Sequence, residues 1–314
     1  MFFALVLLSH VLFFGTLALT RMGNAFYAAV SMVQSRGSAM NRWPWFRAWQ
    51  QRLDRRARST GWLERALAWA RPIPVDVRAV LLKDMRLFWR DTTQWGQTLV
   101  LFGLLGVYFL NLRHFSQQLT SPFWIFLVSY LNLGACALNL ATLTTRFVYP
   151  QFSLEGKRLW IVGMAPLGLR RLVLAKFALA STLSLALTAG LIILSCRMLM
   201  LAWDRTLYLT VAITVMTFTL NGLAVGLGAL YPNFKEDNPS KIVSGFGGTF
   251  CLVVSFLYIV ASVVLLALGS PWTRYGEPGG SGLMPSWAGF VLLSAGVGWL
   301  PLRLSLRRIS QFEM

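Results

Sequence analysis

Charge is what this sequence has least of. Only 13% of its 314 residues are Asp, Glu, Lys or Arg, while 56% are hydrophobic and the mean hydropathy is +0.59. A soluble domain of this length would need far more polar surface to cover its core. Histidine is almost missing: His10 sits in an apolar run and His114 in a short connection. A lone histidine among leucines and phenylalanines reads as a packed, hydrogen-bonded residue rather than a catalyst. Cysteine is scarce as well. Cys136, Cys196 and Cys251 lie in or at the edge of apolar runs, with no CxxC pair and no Cys/His cluster. That pattern argues against a disulfide framework and a zinc site, and the three read as small packing residues. No metal is expected.

Two further shortages bear on chemistry. None of the eleven Asp and Glu residues falls inside a predicted span, which weakens a proton- or sodium-coupled carrier, since such carriers commonly use carboxylates at membrane depth. A phosphate-binding loop is also missing. "EGKR" contains Gly156-Lys157, but Gln151 stands where the first glycine would be, and Arg158 follows the lysine instead of Ser or Thr. The expectation from these absences is a chain that is not an enzyme, with no ATPase motif, no catalytic constellation and no cofactor of its own. "SGFGG" at 244–248 has no convincing histidine partner and reads as close helix packing by small residues.

What the sequence has is long apolar runs. Seven reach or approach the roughly 20 residues that cross a bilayer as helix. They are placed at 1–20, 95–112, 122–145, 172–196, 206–230, 246–269 and 283–302. Short alternating strands of the β-barrel kind are not seen. The fold class expected is an all-α polytopic membrane protein. Mild polar residues inside the spans, Asn111, Asn132, Asn139 and Asn221, read as interhelical hydrogen-bonding groups.

The connection 21–94 is basic and aromatic. Phe46, Trp49 and Leu53 are spaced along one helical face, with Arg47, Asp54, Arg55 and Arg58 largely away from it. After "RPIP" at 71–74, a second amphipathic unit at 75–91 aligns Val77, Leu81, Met85 and Phe88. Such helices suit the headgroup layer, so membrane lipid is an expected partner. All but four of the 29 Lys and Arg residues (Arg113, Arg197, Arg205 and Arg274) fall on one side of the predicted topology. Positive charge stays in the cytoplasm, so 21–94, 146–171, 231–245 and the C-terminus are expected inside and the N-terminus outside. The same retention accounts for the net charge of +18 without nucleic acid. Lys176, five residues past Arg171, is expected to snorkel to the interface.

Two short basic-side loops are more than spacers. In "PQFSLEGKRLWIVGMAPLGLRR" at 150–171, Pro150 can begin a helix, and Phe152, Leu159 and Trp160 can form an apolar edge. Glu155 and Arg158 are three apart and can pair on a helical surface. In "YPNFKEDNPSKIVSGFGG", Pro232 stops the preceding span, and Asn238 with Pro239 fits an N-cap and first helical residue. Capping suits Asn238 better than a cation site built with Glu236 and Asp237.

Three blocks in order, "LLKDMRLFWRDTTQWGQTLV", "RFVYPQFSLEGKRLWIVGMAPLGLRRLVLAKF" and "GLGALYPNFKEDNPSKIVSGFGG", resemble the matching blocks of bacterial ABC exporter permeases, a branch similar to the type-two ABC transporter membrane subunits. The resemblance covers residues 75–270. It implies a six-helix permease unit at 95–314 preceded by the interfacial helix 75–91; the isolated span at 1–20 and the cytoplasmic connection 21–94 are read from the residues themselves. It implies that the first inner loop of that unit carries the coupling helix for an ABC ATPase subunit, with Glu155, Gly156, Lys157, Arg158 and Trp160 at the contact. Pro232, Asn233, Phe234, Asn238 and Pro239 are the candidate residues of the second inner loop. ATP is then expected on the partner subunit. Members of this branch tend to carry another membrane half, so a second permease half or a homodimer is the further partner implied. The location implied is the bacterial inner membrane. The alternative reading is an ATPase-independent secondary carrier or membrane scaffold.

Overall fold

In a computed structural model, the protein is described over residues 74–90, 121–158, 168–236, 238–272 and 283–310, and at Phe13, Thr16, Gly103, Gly106 and Val107. The remainder of the expected spans 1–20 and 95–112, the amphipathic stretch 46–69, His10, His114 and Asn111 lie outside those residues. Contacts divide the chain into Met1–Arg71 and Pro72–Met314. In the first unit Phe13 and Thr16 are helical, and the Thr16 hydroxyl donates to the Phe13 carbonyl at 3.0 Å. Everything below concerns the second unit.

Its first helix, α1 (Val75–Arg90), is the amphipathic segment expected at 75–91. Pro122, with φ already set for a helix, opens α2 (Pro122–Leu143). The chain continues through a wide π turn at Thr144–Val148 and tight 3₁₀ turns at Tyr149–Gln151 and Ser153–Arg158. Next come α3 (Gly168–Met198), α4 (Trp203–Leu230), the short α5 (Pro239–Ser244) and α6 (Phe246–Leu268). The last stretch runs as α7 (Leu283–Ser294), a π turn at Ala295–Trp299, and α8 (Leu300–Ser310). Among the described residues there is no strand, and five helices are long and apolar enough to cross a membrane. The protein is an all-α polytopic membrane protein, and each of the five described spans corresponds to one of the expected apolar runs, the first continuing to Gly156 and the last to Ile309.

α4 is the hub. Of its most apolar window 78% is buried, against 28–39% for the other four spans. One apolar core gathers Leu133, Ile192, Ile213, Met216, Tyr258 and Phe290 around the first half of α4. A second gathers Tyr149, Phe152, Leu172, Leu223, Cys251 and Leu302 around its other half, and Val77 and Val80 of α1 pack against it. Lipid tails are as apolar as leucine, so burying apolar surface gives no net drive between spans, and close packing with hydrogen bonds must hold them. Both are present. Asn132 Nδ2 donates to Ser195 Oγ at 2.8 Å between α2 and α3, and Asn221 Nδ2 donates to Ser184 Oγ at 2.6 Å between α4 and α3. The hydroxyls of Thr188 and Thr217 are hydrogen-bonded at 3.1 Å, and those of Tyr258 and Ser294 at 2.8 Å. The Oδ1 atoms of Asn139 and Asn221 are both buried without a hydrogen-bond partner.

Close packing rests on glycine. A Cβ on Gly222 would stand 2.8 Å from the Gly298 carbonyl oxygen, and one on Gly226 would stand 2.6 Å from the Leu302 nitrogen. Gly298 approaches the Thr219 backbone in the same way, so α4 and the last span touch backbone to backbone. On the opposite flank a Cβ on Gly228 would collide with the Tyr149 carbonyl oxygen, and one on Gly247 with the Tyr149 hydroxyl. The "SGFGG" stretch thus packs closely, as its small residues led one to expect.

A methyl group at position 226 has no flexible neighbour to push aside. Gly226→Ala should therefore destabilise the bundle by about 1–3 kcal/mol, the usual cost of overpacking. Gly190→Ala, where nothing lies within 4 Å, should leave the thermal midpoint in detergent unchanged or slightly raised. Equal midpoints for the two variants would rule out the backbone contact.

Candidate functional site

The Lys- and Arg-rich end of the bundle is where the chain departs most from regular helix. At the end of α2, Pro150 has no N–H to continue the helical ladder, so the backbone tightens into 3₁₀ turns. The second of these breaks at Gly156, whose φ of 49° and ψ of −133° suit glycine alone. The segment 149–158 is thus a compact pair of 3₁₀ turns, in which Gly156 breaks the short helix expected there. Its aromatic side chains point inward, with Tyr149 and Phe152 buried and Leu154 exposed.

The side chain of Arg158, the partner expected for Glu155, lies outside the described residues, and Glu155 itself does not sit at the surface. Its carboxylate is buried and takes two cations from two other elements. Lys83 Nζ of α1 donates to Oε1 at 2.6 Å and Oε2 at 2.7 Å. Lys176 Nζ of α3 lies 2.9 Å from Oε1 and donates to Asp84 Oδ2 of α1 at 2.7 Å. Lys83 and Asp84 complete a ring at 3.5 Å. Lys176 does not snorkel: its side chain is 4% exposed, Glu155's 8% and Asp84's 12%, whereas Lys83's is 39% and faces the rim. The physical reason is charge balance. Two ammonium and two carboxylate groups sum to zero, so Lys176, Glu155 and Asp84 can leave water, with Lys83 still partly in it, at a cost that none could bear alone.

The second loop closes over the turn. Tyr231 caps α4 and Pro232 follows, ending the helix. The backbone N–H of Asn233 donates to Ser153 Oγ at 3.1 Å, and the Tyr149 hydroxyl donates to the Tyr231 carbonyl at 3.4 Å. The rings of Phe152 and Phe234 are 6.3 Å apart and tilted. Asn233 Oδ1 accepts from the Lys235 N–H at 3.1 Å, a local Asx turn. Asn238 Oδ1 accepts from the Ser240 N–H at 3.0 Å with Pro239 in the first turn of α5, which is the cap expected from the sequence. Glu236 faces Lys241 at 3.6 Å on the surface.

Of the expected coupling residues, Glu155 and Gly156 are thus placed, and Lys157 and Arg158 complete the broken turn. Trp160, and the side chains of Lys157 and Arg158, lie outside the described residues. The two loops, read separately from sequence, form one surface on which Leu154 and Phe234 are both exposed. Lys83, Asp84 and the pairing of Lys176 escaped the sequence reading. The available signal was a lone lysine inside an apolar span, which calls for a partner.

Comparison with protein-family models gives a match over residues 1–314 to a family described as "Putative ATP-binding cassette". No curated protein and no solved structure matches the chain. The family match corrects the expectation that the chain is not an enzyme, because an ATP-binding cassette implies ATPase activity. That expectation leaned on one missing consensus, whereas backbone N–H groups at helix N-termini and in nests also hold phosphate.

The ring also makes a stability prediction. Lys176→Met leaves two buried carboxylates to one ammonium and should cost about 3–5 kcal/mol. Adding Asp84→Asn restores neutrality and should return much of that loss. Thermal unfolding of both single variants and the double variant in one detergent measures the coupling. If the two single losses simply add, the four groups do not act as a unit.

Proposed function

The chain belongs to the putative ATP-binding cassette family, and from that premise we propose that it is the membrane-spanning permease subunit of an ABC transporter, an exporter of the bacterial inner membrane. Four apolar spans around a buried fifth supply a bundle able to carry such a role. The observation that carries the reading is the joint surface of the turn 149–158 and the loop 231–238. It is a knob packed at its base and exposed at Leu154 and Phe234. Charge retention puts this end in the cytoplasm, together with the C-terminus, and the N-terminus outside.

In this reading an ABC ATPase subunit carrying ATP docks on the knob, with Glu155, Gly156, Lys157, Arg158 and Trp160 in the coupling segment. Its closure on ATP pushes the turn. The push reaches α4 through the contact of Tyr149 with Gly228, and α6 through the contact of Tyr149 with Gly247. A second permease half or a second copy completes the translocation path. The family's description favours a second reading, in which the chain itself binds ATP.

Purification in mild detergent from cells expressing the transporter's ATPase should recover that subunit with the chain. Arg158→Ala and Trp160→Ala should each lower the recovery several-fold, and undiminished recovery in both would sink the docking assignment. Photolabelling of the purified chain by an azido-ATP decides the second reading: labelling of the chain alone, competed by ATP, would place the nucleotide there.

A further inference from the structure

The ring of charges contains one group that touches every element around it. Asp84 belongs to α1 and Glu155 to the turn, and Lys176 of α3 bonds both, at 2.7 Å and 2.9 Å. Replacing a whole buried ion cluster by apolar side chains often costs nothing, so a ring of this kind is a poor source of stability over leucine and methionine. What it has is geometry. Apolar contacts, such as Val77 and Val80 of α1 against the second core, tolerate sliding, whereas a hydrogen-bonded ion pair at 2.7–2.9 Å tolerates little. The base of the turn is fixed by buried Tyr149 and Phe152. Its tip ends at Gly156, whose backbone offers least resistance to movement. Glu155, one residue earlier, is the tip's anchor.

We infer that Lys176 is a positioning residue: through Glu155 it fastens the tip of the turn to α3, and through Asp84 it fastens α3 to α1, so that a displacement of the tip is delivered to both helices together. Its use in transport rests on the docking reading above; the fastening itself does not. Lys83 supplies a separate tie from the tip to α1. Removing Lys176 should therefore free the tip from α3 while leaving it held to α1.

Pulsed EPR on the full chain tests this directly. Spin labels go on cysteines introduced at the exposed positions Leu154 (tip), Ala79 (α1) and Arg171 (α3), the native cysteines being buried. The variant is Lys176→Met with Asp84→Asn, which keeps the cluster neutral and so guards against misfolding. The 154–171 distance distribution should broaden and the 154–79 distribution should stay narrow, with Lys176→Arg keeping both narrow. An unchanged 154–171 distribution overturns the inference, as does equal broadening of both. In the assembled transporter the variant should still recover the ATPase subunit but lose several-fold in the ATP turnover that the chain stimulates. Unchanged turnover with a freed tip would overturn the transmission role. Failure of the unmodified chain to recover any ATPase subunit strikes the docking reading alone, because the label distances are measured without it.

Discussion

A carboxylate that leaves water must find cations, and at the basic end of this bundle that requirement brings three elements together. Glu155 can sit buried in the turn only because Lys83 and Lys176 reach it from α1 and α3. Lys176 can sit inside an otherwise apolar helix only because Asp84 and Glu155 cancel its charge. Neither half of that bargain survives without the other. The position of α1 against the bundle, the inward set of the turn and the start of α3 are therefore coupled choices. The exposed surface follows from them: with Tyr149, Phe152 and Glu155 turned inward, Leu154 and Phe234 are what face outward.

The middle of the molecule obeys a different rule. Spans in lipid gain little from hiding apolar surface, so contact must come from shape and from hydrogen bonds. Glycine supplies the shape. Gly222, Gly226 and Gly298 bring α4 and the last span into backbone contact, and Gly228 admits the carbonyl of Tyr149. Each such contact is rigid, because no side chain stands between the backbones to yield. The π turn at Ala295–Trp299 lies where Gly298 meets Thr219. The π turn at Thr144–Val148 lies just before Tyr149. Both irregularities occur where a helix is pressed against α4, and π turns are frequent at functional positions in helices.

Much of the fold was legible because it is written locally. Apolar runs of sufficient length announced the five described spans, and the stripe of Val77, Leu81 and Met85 announced α1. Asn238-Pro239 announced a cap, since capping depends on two neighbouring residues. The ring was not legible for the opposite reason. Lys83 and Glu155 are 72 residues apart, and Asp84 and Lys176 are 92 apart, so no local pattern joins them. Read locally, Lys176 had only the interface to reach, and that guess failed on pairing rather than on residue type. The short helix expected to open at Pro150 takes the tighter 3₁₀ form and breaks at Gly156, where nothing in the local sequence warned of a break. The missing phosphate loop misled in another way, by treating one consensus as the whole of nucleotide chemistry.

The two rules meet at Tyr149. Its carbonyl rests on Gly228 of α4, its hydroxyl stands against Gly247 of α6, and six residues later its own turn carries Glu155 into the ring. The turn is thus held at its base by contacts that permit no compression and at its tip by charges that permit little separation. A body held in both ways transmits displacement instead of absorbing it. For a segment whose work would be to pass a push from the aqueous face to the spans, that stiffness matters more than any stability the ring adds. It also explains why the cost of burying Lys176, Glu155 and Asp84 is tolerated where a handful of leucines would have packed as well.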